Sequence, residues 1–168
     1  MTALKTMWQT SLPKTGDNVI SSVVANRYVY AAGQGRVFKL TIDGGTIENT
    51  NTLPDRGNHA VNLVLSDDEK TLYAGTDGYA IAIETLTMET KWQTSLPNTG
   101  DNEVNLLLTD KFLFCGSSGH VYQLDHNGNT LGHNDLPDRG NHEVQMCINK
   151  SETVLYVGTD GYEIAISI

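Results

Sequence analysis

The segment Trp8-Gln9-Thr10-Ser11-Leu12-Pro13 returns as Trp92-Gln93-Thr94-Ser95-Leu96-Pro97, and Leu53-Pro54-Asp55-Arg56-Gly57-Asn58-His59 returns as Leu136-Pro137-Asp138-Arg139-Gly140-Asn141-His142. Leu-Pro steps at Leu12, Leu53, Leu96 and Leu136 divide the 168 residues into four copies of one unit. A period of about forty residues holds a single supersecondary motif. Such a motif cannot bury its apolar faces alone and must stack on its neighbours. The repeat therefore constrains the architecture more tightly than any other feature of the chain.

Within each unit the Leu-Pro step leads to a glycine three residues beyond the proline (Gly16, Gly57, Gly100, Gly140). An apolar or alternating run follows: Ile20 to Val24, Val61 to Leu65, Val104 to Leu108, Val144 to Ile148. Alternation over that length predicts a strand. A polar hairpin, clearest in Ser66-Asp67-Asp68-Glu69-Lys70, leads to a second strand, as in Thr71-Leu72-Tyr73-Ala74. A glycine turn (Gly33 to Gly35, Gly75 to Gly78, Gly116 to Gly119, Gly158 to Gly161) opens a third strand such as Tyr79-Ala80-Ile81-Ala82-Ile83. The fourth segment carries Trp8 or Trp92, with Asn49 and Gly132 at the matching sites of the other two copies. Four short strands joined by tight turns describe one blade of a β-propeller. The expected fold class is all-β, with four-stranded antiparallel blades at roughly 13–53, 54–96, 97–136 and 137–168.

The run Leu72 to Glu84 followed by Lys91-Trp92 resembles the repeat of quinoprotein-like propellers, a strand, Gly-Thr-x-Gly, a second strand, a turn and then Trp. Gly116 to Asp125 resembles it as well, whereas Thr87-Met88 departs from the family's Thr-Gly turn. The resemblance implies a propeller, most often of eight blades. Quinoprotein dehydrogenases also imply export, a metal-containing cofactor pocket and often adjacent cysteines. Cys115 and Cys147 are far apart in this chain, so no cofactor is expected.

Strand order leaves the ends unmatched. Residues 7–12 hold only a fourth strand, whereas the last blade stops after its third. Unpaired edges invite association, so strand 7–12 is expected to complete a fourth blade. Two chains exchanging their Trp8 strands would give an eight-bladed homodimer with closed two-fold symmetry; one chain closing on itself would give four blades.

Net charge is −9, and the eleven Lys and Arg residues are scattered. Nucleic-acid and membrane surfaces both need a basic patch, so neither partner is expected. The start, Met1-Thr2-Ala3-Leu4-Lys5, has no signal-like apolar stretch, which makes a cytoplasmic location the default. Both cysteines lie in apolar runs and read as buried free thiols. The histidines lack a metal-ligand spacing such as His-x-x-x-His, and neither a nucleophile elbow nor a phosphate loop is present.

In an antiparallel blade, the loop from strand two to three and the loop leaving strand four emerge at one end. That end should gather Asp17, Asn18, Asn58, His59, Asp101, Asn102, Asn141 and His142 with Asp77 and Asp160, backed by Tyr79 and Tyr162. Asn18, His59, Asn102 and His142 share one repeat position, so two kinds of loop should alternate around the stack. Side chains of this type can cap their own turns. They also suit polyhydroxylated ligands such as glycans, and multiple sites on a rigid scaffold gain avidity. The expectation is a non-catalytic, lectin-like binding protein, the alternative a protein-interaction scaffold or a purely structural self-assembling propeller.

Overall fold

The computed structural model describes residues 3–16, 19–53, 59–136 and 142–168. Each repeat forms one antiparallel sheet. The first contains β1 (Ser21–Val24), β2 (Tyr28–Gly33), β3 (Arg36–Thr41) and β4 (Ile47–Thr52) in sequential order. The second contains β5 (Asn62–Leu65), β6 (Thr71–Thr76), β7 (Tyr79–Glu84) and β8 (Thr90–Ser95). The third is built from β9 (Asn105–Leu108), β10 (Leu113–Ser117), β11 (His120–Leu124) and β12 (Thr130–Asp135), and the fourth from β13 (Gln145–Ile148), β14 (Val154–Thr159) and β15 (Tyr162–Ser167). There is no helix among the described residues, and hence none long and apolar enough to cross a membrane.

The second and third strands of every sheet join through two residues that both have positive φ: Gln34-Gly35, Asp77-Gly78, Ser118-Gly119 and Asp160-Gly161. This mirror-image turn matches the right-handed twist of the flanking strands. Each outer pair then slips register at one place, between Lys39 and Leu40, Ala82 and Ile83, or Gln123 and Leu124. Such a bulge bends the fourth strand and re-aims its side chains.

Consecutive sheets stack through apolar clusters. Tyr30, Ala32 and Val37 meet Leu63, Leu72, Ile81 and Ile83; Tyr73 and Ala80 meet Val104, Cys115 and Leu124; Phe114 and Val121 meet Val144, Leu155 and Val157. The innermost strands touch in sequence, β1 to β5 to β9 to β13. The result is a propeller-type stack of repeated blades whose last face is uncovered, while the first face is covered in its outer half by the N-terminal segment, with Leu12 packed on Ala31, Phe38 and Leu40, and is open at Ile20, which is 38 % exposed.

In the single chain residues 7–12 form no ladder and the fourth sheet has three strands, so that segment completes no blade within one chain. One sequence expectation is corrected here. Cys147 is exposed while Cys115 is buried, because the side of β13 that carries Cys147 has no neighbouring sheet. Burial pushes the Cys115 thiol far above its ordinary range.

The junctions obey a size rule. Trp92, Asn49 and Gly132 occupy one register position, opposite Ala82, Lys39 and Gln123. The Trp92 indole donates to the His126 carbonyl at 3.1 Å, and Thr94 Oγ1 donates to the Gly128 carbonyl at 2.6 Å. A Cβ on Gly128 would lie 2.7 Å from the indole, so the bulky ring requires glycine in the facing turn. Trp8 repeats this arrangement on the first sheet, bonding the Ile42 carbonyl at 3.0 Å above Gly45 while Thr10 bonds the Gly45 carbonyl at 2.6 Å. Where Asn49 replaces tryptophan, the turn residue is Met88, 3 % exposed in the cluster of Tyr30, Val37, Leu72 and Ile83. Asn51 donates to the Met88 carbonyl at 2.8 Å, and Lys39 Nζ takes over the indole's role by donating to the Thr85 carbonyl at 2.9 Å. Trp92 is only half-buried, so Trp92→Ala is expected to cost about 2 kcal/mol, below the range for fully buried rings. A urea unfolding midpoint checks this, and a change within about 0.5 kcal/mol would contradict the wedge role.

Candidate functional site

The end of the stack that carries the two-residue turns is tied together by one recurrent bond. Leu53 N–H donates to the Gly35 carbonyl at 3.0 Å, Leu96 to Gly78 at 2.8 Å and Leu136 to Gly119 at 2.9 Å. Each strand-four exit is thereby fastened to its own sheet's turn, which brings the linker residues and the turn residues to one rim.

On that rim His59 Nε2 lies 3.5 Å from Asp77 Oδ1, and His142 Nε2 lies 3.5 Å from Asp160 Oδ1. The same pair thus recurs in the second and fourth sheets. In the third sheet the equivalent residues are Asn102 and Ser118, joined at 2.8 Å, and both donate to the Thr99 carbonyl, at 3.1 and 2.7 Å. The alternation expected from the repeat is visible in these three sheets. Asp101 is exposed beside Asn102, and Tyr162, next to the Asp160 turn, is 55 % exposed. Asp17, Asn18, Asn58 and Asn141 lie outside the described residues. Among those described, no three His, Cys, Asp or Glu side chains converge as a metal would require.

The opposite end of the stack carries the hairpins that join the first and second strands. The structure opens a cleft of about 790 Å³ there between the second and third sheets, walled by Leu65, Tyr73, Lys91, Leu108, Asp110 and His126. In the first junction the corresponding space is taken by Lys39, 5 % exposed, whose Nζ lies 4.1 Å over the Tyr28 ring. Thr71 stands at the Tyr28 position in the second sheet and lines the cleft. Tyr73 is 3 % exposed and packs 5.9 Å from Trp92 and 6.2 Å from His126. A smaller cavity of about 210 Å³ lies between the third and fourth sheets. Two further contacts were not expected from the sequence, the pair His120–Asp135 at 2.9 Å and the His133 ring stacked on Tyr122. The signal was there: the turn Asp125-His126-Asn127-Gly128-Asn129 joins β11 to β12 and sets their register, which places His120 opposite Asp135.

Three junction tyrosines titrate late. Burial raises the hydroxyl pKa of Tyr30, Tyr73 and Tyr122 above the ordinary 10.0. A raised folded pKa contributes stability that is fully present below the unfolded value and is lost as pH rises through the folded one. Unfolding free energy should therefore fall above pH 10.0 and fall less steeply in Tyr73→Phe, as a urea series across alkaline pH would show. Parallel slopes for the two proteins would contradict it.

No protein-family model matches the chain, and no curated protein does. Among solved structures, the crystal structure of the computationally designed Ika4 protein matches 99 % of both chains with a TM-score of 0.72 at 18 % identity. A chain in the crystal structure of the Mitotic Checkpoint Complex matches 83 % of this chain with a TM-score of 0.62 at 15 % identity, and the match spans 43 % of that longer chain. At such identities the likeness is one of fold, and the fold is an all-β stack of repeated propeller-type blades.

Proposed function

We propose that this chain is a non-catalytic binding propeller that works as a ring of two copies, eight blades in all, with repeated polar loops displayed on one rim. The observation that carries this reading is the match between the uncovered face of the fourth sheet and the open inner part of the first sheet's outer face, whose remainder already carries residues 8–12. Tyr30, Tyr73 and Phe114 occupy one register position and are 2–3 % exposed against the next sheet; Tyr156, at that position in the fourth sheet, is 38 % exposed. On the opposite side, Val61, Val104 and Val144 are at most 2 % exposed against the preceding sheet, while the equivalent Ile20 is 38 % exposed. The polar contacts match as well. Asn62 and Asn105 donate to the Val104 and Val144 carbonyls at 3.0 and 2.9 Å. Gln145 holds the same register on β13 and would reach the Ile20 carbonyl of a second copy. The free edge of β15 is a template for another strand, and residues 7–12 repeat the sequence of β8 without a sheet of their own. The Trp8 side chain can stay on its own first sheet while its backbone pairs with the partner's β15.

Light scattering at micromolar concentration should give twice 18.3 kDa, and Trp8→Ala should move the mass toward one chain. A wild-type mass of one chain would end the reading.

For the rim, short Asp, Asn and His side chains beside exposed turns, with Tyr162 as a flat wall, suit polyhydroxylated ligands such as sugars. Two kinds of loop, each repeated around the ring, would bind with avidity. We read the resemblance to quinoprotein-like repeats as kinship of blades, with no cofactor invoked. A protein-interaction platform is the second reading, favoured by the local bonding of Asn102, Ser118 and Thr99, which leaves these loops formed without a ligand. A glycan array probed with wild-type protein and with Asp101→Ala/Asn102→Ala separates them. The sugar reading expects several equivalent binding events per ring, weakened by the substitutions; silence across the array favours the platform.

A further inference from the structure

The cavity between the third and fourth sheets has the shape of a missing residue. It is lined by Phe114, Val121, Gly132, Asn134, Leu155 and Ile166, among others. By strand register these match Tyr30, Val37, Asn49, Asn51, Leu72 and Ile83 of the first junction. Four of those six form the apolar cluster that holds Met88, and a fifth, Asn51, bonds its carbonyl. The third junction thus has the surroundings of Met88 without a side chain at the centre. It also lacks the alternative filling, because Gly132 stands where Trp92 occupies the second junction.

The residue that fills a junction lies four positions before the outer-strand position of its own blade: Gly45 before Asn49, Met88 before Trp92, Gly128 before Gly132. Four positions before Trp8 is Leu4. In the single chain Leu4 is fully exposed, at 103 %. The size rule demands a large apolar residue opposite Gly132, as Met88 stands opposite Asn49, and Leu4 is one.

We infer that the cavity between the third and fourth sheets is the socket for Leu4 of a second copy, and that Asn134 donates to the carbonyl of that leucine as Asn51 does to Met88. This rests on the two-copy ring proposed above. It goes further in naming the contact that sets the register of the exchanged segment along β15. Without such a lock, a strand added to an open edge can slide by two residues and keep its face.

Three measurements on the 168-residue chain test it. Because the ring has two sockets, Leu4→Ala should raise the dimer dissociation constant by about a hundred-fold or more, while Leu4→Met stays near wild type. Gly132→Trp fills the socket from within, so Leu4→Ala in that background should change the constant less than about three-fold. In a Cys147→Ser background, one chain carrying Leu4→Cys mixed with another carrying Ile166→Cys should give a disulfide-linked pair on oxidation. Leu4 is exposed in the single chain, so its replacement leaves each chain folded. If the mass is two chains but Leu4→Ala is neutral and no link forms, the socket is wrong and the ring stands. If the mass is one chain, both fall.

Discussion

Gly75→Val is expected to break the stack between the second and third sheets, at a cost of about 3 kcal/mol or more. A Cβ at this position would lie 2.4 Å from the Val104 carbonyl oxygen and 3.0 Å from Leu106 Cγ. The first of these atoms is backbone and cannot swing aside. It also accepts the Asn62 amide at 3.0 Å, so displacing it would unpair a polar group as well. Gly116 faces Val144 in the same way, with Cγ1 at 2.7 Å. The measurement is a urea denaturation curve with far-ultraviolet circular dichroism, and a midpoint equivalent to less than about 0.5 kcal/mol of loss would contradict the junction geometry.

Gly158→Val should behave in the opposite manner, and the contrast is informative. Gly158 is the register equivalent of Gly75, yet the one neighbour of a Cβ there is the Glu163 carboxylate at 3.3 Å, the end of a flexible side chain. The single chain should tolerate valine, which is a good strand former. If a second copy's first sheet seats on this face as Val104 and Leu106 seat on Gly75, the added methyls block it. The expected result is a folded protein by circular dichroism whose mass falls from two chains to one at micromolar concentration. A Gly158→Val protein that keeps the two-chain mass would show that the docking surface lies elsewhere.

Much of this fold could be read from residue order. The alternation in Thr71 to Ala74 and in Tyr79 to Ile83, split by Asp77-Gly78, predicts β6 and β7 because the turn admits two residues with positive φ and little else. Antiparallel order alone placed His59 near Asp77 and His142 near Asp160. What escaped was everything that depends on a neighbouring sheet. Cys147 sits in an apolar run like Cys115, yet one is exposed and the other buried; only the presence of a covering blade distinguishes them. Trp8 and Trp92 have identical local sequences, but the backbone of one is in a strand and that of the other is not. The cleft beside Tyr73 is lined by Thr71 where the first sheet has Tyr28 under Lys39, a difference that is invisible until the register aligns the two.

The repeat by itself determined the unit: strand number, turn positions, the alternation of rim loops and the Trp, Asn or Gly at the outer position, all set by backbone propensity and short-range order. The tertiary structure decided which faces are covered, which turn residue fills each junction and which cavity is left over. Those are long-range packing questions, since a strand's two faces are chemically labelled in sequence but acquire burial only from the sheet laid against them.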